Sequence, residues 1–111
     1  KIASVCTGAM ILAASGVLDG LSATTKKEVV PPEISPLDIV RESYPHVLAR
    51  EALLVDANNV VTGGGVSLCI DTTLHLLAKM IGEDVARETA RILEYRQAQK
   101  ANREAFAADA S

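Results

Sequence analysis

The chain opens on an apolar run, Ile2-Ala3-Ser4-Val5, which stops at Cys6 and restarts as a segment of helix length. Ile2, Ala3 and Val5 suit a buried parallel strand, and Gly8, Ala9 and Met10 leave no room for a conventional loop before the helix. Over residues 8–18 the spacing puts Met10, Ile11, Ala14 and Leu18 on one helical face, and Asp19-Gly20 supplies the stop. Residues 21–25, ending in the β-branched pair Thr24-Thr25, predict a short strand. Val29-Val30-Pro31-Pro32 reads as a loop or edge crossing, because consecutive prolines remove donors and force extended backbone.

Ser35-Pro36-Leu37-Asp38 has the grammar of a helix start: a serine able to cap, a proline at the first position and an acid in the first turn. It predicts a helix over 36–43, ended by Tyr44-Pro45, with 45–50 as a connector. The apolar runs 51–56 and 60–62 flank Asn58-Asn59 and predict a hairpin in which either asparagine tolerates positive φ. Gly63-Gly64-Gly65 follows directly and precedes a helix over 66–81, with Ile70, Leu74, Leu77 and Met80 on the buried side. Asp71 and His75 are four apart and share a face, so Asp71 reads as a surface acid, a partner of His75, or a functional acid. Gly82-Glu83-Asp84 breaks and recaps the chain. A last amphipathic helix carries Val85, Ala86, Ala90, Ile92, Leu93 and Tyr95, and residues 97–111 read as a solvated helical tail of the same single domain, 1–111.

Composition narrows the class. The chain has 111 residues, of which 49% are apolar and 3% aromatic, which fits one small Ala, Leu and Val-rich α/β domain. A net charge of -3 with no basic cluster argues against direct nucleic-acid or membrane binding by this segment. Lys1 followed by an apolar run resembles a secretory leader, but Gly8, Gly16 and Asp19-Gly20 fit strand, helix and cap better. Cys6 and Cys69 lack disulfide-type spacing and predict free thiols in a reducing compartment, the cytoplasm. Neither His46 nor His75 lies at ligand spacing from a cysteine, so no metal site is expected. A chain that begins in mid-strand without a methionine reads as the second part of a longer protein.

Cys6 is the candidate reactive group. On a sharp strand-to-helix turn the side chain stands clear of the sheet, and the N–H groups opening the helix point at an anion forming beside it and favour thiolate. The competing reading is a small buried hydrophobe at a strand end. Cys69 reads as a core thiol, unreactive relative to Cys6. The three glycines allow close approach of backbone to a neighbour, either a ligand or the elbow itself, and make Gly64 and Gly65 candidate pocket residues. A phosphate loop is disfavoured, since no Gly-Lys-Ser/Thr ending or G-x-G-x-x-G spacing follows.

The ordered series Ser4-Val5-Cys6-Thr7-Gly8-Ala9, Gly16-Val17-Leu18-Asp19-Gly20, Ala23-Thr24-Thr25 and Val61-Thr62-Gly63-Gly64-Gly65 with Ile70-Asp71 resembles the ThiJ/PfpI family of glutamine amidotransferase-like proteins. Within it the pattern is most similar to the isonitrile hydratase-like branch and its relatives fused to transcription regulators. The resemblance implies the C-terminal part of a flavodoxin-like three-layer α/β/α sandwich, homodimeric, without cofactor or metal. It implies Cys6 as nucleophile on a small-molecule isonitrile, with Thr7, through its N–H and hydroxyl, and the Gly8 N–H holding the developing charge or the water. The alternatives are a non-catalytic ligand-sensing domain of a transcription regulator and a cysteine hydrolase or deglycase of the wider superfamily.

Two departures matter. Relatives carry a histidine and an aromatic after the Ala-Thr-Thr strand, where this chain has Lys26 and Lys27. No histidine follows Cys6, which disfavours peptidase or amidase chemistry against hydration. The family's acidic partner of the cysteine comes from an early strand that precedes the residues present here, and the strands present are expected to leave a sheet edge unpaired.

Overall fold

A computed structural model describes residues 1–106. In chain order the elements are β1 (Ile2–Ser4), a 3-10 turn (Cys6–Gly8), α1 (Ala9–Ser15), β2 (Ser22–Ala23), α2 (Pro36–Ser43), β3 (Leu48–Ala49), β4 (Leu54–Asp56), β5 (Val60–Gly63), α3 (Leu68–Met80), α4 (Glu83–Ile92) and α5 (Arg96–Ala105). A three-stranded sheet has the order β1-β5-β4, with β1 parallel and β4 antiparallel to β5, and β2 pairs in parallel with β3. The Thr24 N–H donates to Thr62 Oγ1 at 2.9 Å and ties the small pair to β5.

All four residues of β5 are buried, and their alternation defines the layers. Val60 joins Ala13, Leu18, Ala23, Val40 and Val47 in the core beneath α1 and α2. Val61 turns the other way, toward α3, and lines a small cavity with Leu76 and Met80. Gly63 shares that side, and a Cβ placed on it would lie 2.0 Å from Thr72 Oγ1. The missing side chain is thus what lets α3 sit directly on the strand. Among the described residues β1 has no partner on its outer edge, and Ile2 stays 43% exposed there.

Helix existence agrees with the sequence pattern, and helix phase agrees in part: Leu18, Leu74, Ala86 and Ala90 are buried as expected, whereas other positions are not. The segment expected to be helical from residue 8 to 18 is a 3-10 turn followed by a seven-residue helix, capped by Gly16 at φ 86°. Ala9 and Ala13 are the buried residues of this helix, and Ile11 is 76% exposed. In α3 the buried residues are Asp71, Thr72 and Leu74, while Ile70 and Met80, expected in the core, face outward. Close seating at Gly63 turns the helix toward Thr72. In α4, Ala86 and Ala90 are buried, whereas Ile92 and Leu93 are exposed.

The hairpin is present, with Asn58 at φ 74° and its N–H held by Asp56 Oδ1 at 2.9 Å. The expected connector over 45–50 contains β3, held by N–H donation from Leu48 to Leu21 and from Arg50 to Ala23, at 2.9 and 2.8 Å. Helix α2 starts at Pro36 as its grammar predicts, yet the Ser35 hydroxyl makes no capping bond and is buried without a partner. No helix among the described residues is long and apolar enough to cross a membrane. The end of the expected tail, 107–111, lies outside the described residues.

Candidate active site

Cys6 adopts φ 53°, a left-handed conformation that costs an ordinary residue about 1–2 kcal/mol. Two hydrogen bonds hold it there. Its N–H donates to the Gly64 carbonyl at 3.1 Å, extending the β1–β5 ladder, and its carbonyl accepts the Thr25 hydroxyl at 2.6 Å. At about 0.5–1.5 kcal/mol each, these bonds offset a strain of that size. The turn is therefore a strained elbow, clamped from β5 on one side and from the end of the β2 segment on the other. Thr25 is 3% exposed, and the sequence pattern had offered it only as a β-branched strand residue.

The remaining elbow residues divide. Thr7 is exposed. The Gly8 N–H is committed to the Val5 carbonyl at 3.0 Å, so it is not available to an anion as the sequence reading expected. The 3-10 geometry is the reason, since i to i+3 pairing consumes that donor. The Ser4 hydroxyl beneath the turn is buried without a partner.

A cavity of about 230 Å³ adjoins the elbow. Both clamp residues line it, Thr25 and Gly64, together with Gly65; Cys6 is outside its lining. Polar groups come from Thr24, Lys26, Lys27, Glu51 and Ser67, and apolar ones from Leu37, Val66, Leu68 and Phe106. Lys26 and Lys27 thus stand in the wall. Lys27 Nζ pairs with Glu51 Oε1 at 2.7 Å, and Lys26 Nζ donates to the Glu28 carbonyl. The stem of Lys26 crosses Gly65, with its Cγ 2.7 Å from where a Cβ would stand.

Cys69 is half-buried in the first turn of α3 rather than deep in the core. Burial pushes its thiol pKa up, and the charge of Cys6 adds to the shift. Among the described residues no group of three or more His, Cys, Asp or Glu is placed to hold a metal ion.

The pairing suggested for Asp71 and His75 is replaced by two others. His75 Nε2 and Lys79 Nζ meet Asp56 Oδ2 at 2.8 and 2.6 Å, and Lys79 and then His75 hold the Asp56 carboxyl well below the usual carboxylate range. Asp71 Oδ2 instead accepts the Tyr95 hydroxyl at 2.6 Å and Asn102 Nδ2 at 2.9 Å. Burial, then the bond to Asp71, pushes the Tyr95 phenol up to about 12.

The layered sheet and the elbow at the end of β1 define a class. In fold the chain resembles a crystal structure of a cysteine-to-alanine mutant of STM1931, a DJ-1 superfamily protein from Salmonella typhimurium, with a TM-score of 0.66 and 22% identity over 85% of this chain and 45% of that one. The fold is thus the flavodoxin-like α/β type of that superfamily. No family model matches the chain. Individual relatives do: isonitrile hydratase of Pseudomonas putida is 31% identical over 97 residues, or 85% of this chain and 37% of the relative. The HTH-type transcriptional regulators GlxA of Rhizobium meliloti and CdhR of Pseudomonas aeruginosa are 30% and 31% identical, covering 81% and 77% of this chain and 26% and 23% of their own lengths. The chain belongs to the ThiJ/PfpI family, and it spans about a third or less of the curated relatives it matches.

Proposed function

We propose that this chain carries the nucleophile half of a cysteine-dependent hydratase acting on a small isonitrile. The observation that carries the reading is the Cys6 elbow, held at φ 53° by Gly64 and Thr25 beside a cavity those two residues line. Likeness to isonitrile hydratase supports the substrate class. The Cys6 thiolate adds to the terminal isonitrile carbon, and a proton delivered to that carbon gives a thioimidate. Water adds to its C=N carbon, the C–S bond breaks, and an N-substituted formamide leaves as the thiol is restored. The Thr7 N–H and hydroxyl stabilise charge in these steps, and Gly64 and Gly65 border the substrate. An acid from outside this chain activates the water, and the protein works in the cytoplasm as a homodimer.

A second reading is favoured by a separate observation: the cavity lining omits Cys6, and several relatives are transcription regulators. In that reading the cavity binds a small ligand and no bond is made. Cyclohexyl isocyanide incubated with the full-length protein, and with its Cys6→Ser variant, separates the two. Formation of N-cyclohexylformamide by wild type alone supports the hydratase. Slow, high-pH alkylation of Cys6 by iodoacetamide together with no formamide overturns it in favour of the sensor.

A further inference from the structure

Helix α5, expected to be a solvated tail, buries none of its own residues, yet it is tied to the fold. Tyr95, at its N-terminal boundary, donates to Asp71 Oδ2 at 2.6 Å. Asn102 Nδ2 donates to the same oxygen at 2.9 Å and to the Tyr95 hydroxyl at 3.1 Å. Asp71 is only 4% exposed. A carboxylate at that depth demands donors, and those present come from Tyr95 and from α5. The same Asn102 accepts the Phe106 N–H on its carbonyl at 3.2 Å. One residue therefore links the latch on Asp71 to the backbone of the residue that closes the helix, Phe106. The Phe106 side chain, half-buried, lines the 230 Å³ cavity with Leu37, Val66 and Leu68.

A helix without a buried face is not docked by the hydrophobic effect, so the latch and the Phe106 contact fix its position. We propose that Phe106 is a specificity-determining wall of the cavity, positioned by the Asp71–Tyr95–Asn102 latch, which selects ligands whose carbon–nitrogen group carries a bulky apolar substituent. A cavity of about 230 Å³ with an apolar wall on the α5 side suits a small molecule of that kind. The inference rests on the proposed function for the carbon–nitrogen group, and on the cavity alone for the apolar one. Tyr95 and Asn102 act through Phe106 and are positioning residues.

The test is equilibrium binding, by NMR titration of the full-length protein with N-cyclohexylformamide and N-methylformamide, which needs no chemistry at Cys6. Wild type is expected to prefer the cyclohexyl amide, and Phe106→Ala to lower the ratio of the two affinities by about tenfold. Phe106→Leu, which keeps an apolar wall, restores most of the ratio. Tyr95→Phe, which removes the latch hydroxyl without touching the cavity, lowers it by about threefold, as one net hydrogen bond permits. Equal affinities in wild type, or an unchanged ratio in both Phe106→Ala and Tyr95→Phe, overturn the wall. A cyclohexyl preference in a protein that does not hydrate cyclohexyl isocyanide overturns the hydratase and leaves the wall standing.

Discussion

Thr25 holds Cys6 by its carbonyl, with a 2.6 Å hydrogen bond from a hydroxyl that is itself buried. The two residues are nineteen apart in sequence and follow strands of different sheets, β1 and β2, so the contact joins the elbow to the β2 segment. Thr25→Val keeps the shape and removes the donor, leaving a carbonyl unsatisfied. The expected cost is about 1–2 kcal/mol in urea denaturation, together with a slower Cys6 alkylation by iodoacetamide. Unchanged stability and rate would show that the clamp is dispensable.

Strain at Cys6 predicts an unusual order of stability. Cys6→Gly removes the left-handed penalty and Cys6→Ala does not, so the glycine variant should be the more stable of the two by about 1 kcal/mol. Elsewhere in regular structure glycine loses to alanine. Denaturation midpoints of the pair decide it, and an alanine variant as stable as the glycine one would argue against a strained elbow.

Gly63 is the seat of α3. A Cβ there would stand 2.0 Å from Thr72 Oγ1 and 2.9 Å from its Cβ. Gly63→Ala should cost about 1–3 kcal/mol or more through overpacking. Thr72→Ala in the same chain should recover part of that loss. Additive effects of the two changes would sink the account, since residues in contact are expected to couple.

Tyr95 sets a stability limit at high pH. Its folded pKa, about 12, lies above the unfolded value near 10, so its contribution is complete below about pH 10 and fades as pH rises through 12. Ultraviolet titration should show a phenol step near 12 that is missing from Tyr95→Phe. Finding the same step in the variant would assign it elsewhere.

Asp56 acts at the opposite end of the scale. Lys79 and His75 lower its pKa, so the stability it supplies is present above the unfolded carboxyl value of about 3.9 and is lost as pH falls below that. Asp56→Asn should cost about 1 kcal/mol at pH 7, with the difference from wild type shrinking on acidification below about pH 4. A difference that grows toward low pH would contradict the pairing.

Much of the architecture was legible because it is written in local chemistry. Proline at 36 fixes the backbone where it stands, asparagine at 58 and glycine at 82 admit the positive φ found there, and the elements begin, turn or end beside them. The strand-to-helix step at Cys6 was readable for the same reason. The buried faces of α1 and α3 were legible only in part, because the face that packs is set by how each helix seats on the sheet, as α3 does at Gly63. The two-residue strand β3 carries too little pattern to be seen in sequence.

The candidate site divides along the same line. The sequence by itself determined the elbow: Ser4-Val5-Cys6-Thr7-Gly8 has a strand's side chains before the cysteine and a helix's after it, so the thiol had to fall on the turn. Only the tertiary structure decided what surrounds it. The Gly8 N–H was consumed by Val5, Thr25 was brought to the Cys6 carbonyl, and α5 was latched to Asp71 with Phe106 against the cavity. Each of these joins residues through strand pairing or helix packing. Such contacts depend on which surfaces meet in space, and a linear pattern of polar and apolar positions does not encode that meeting.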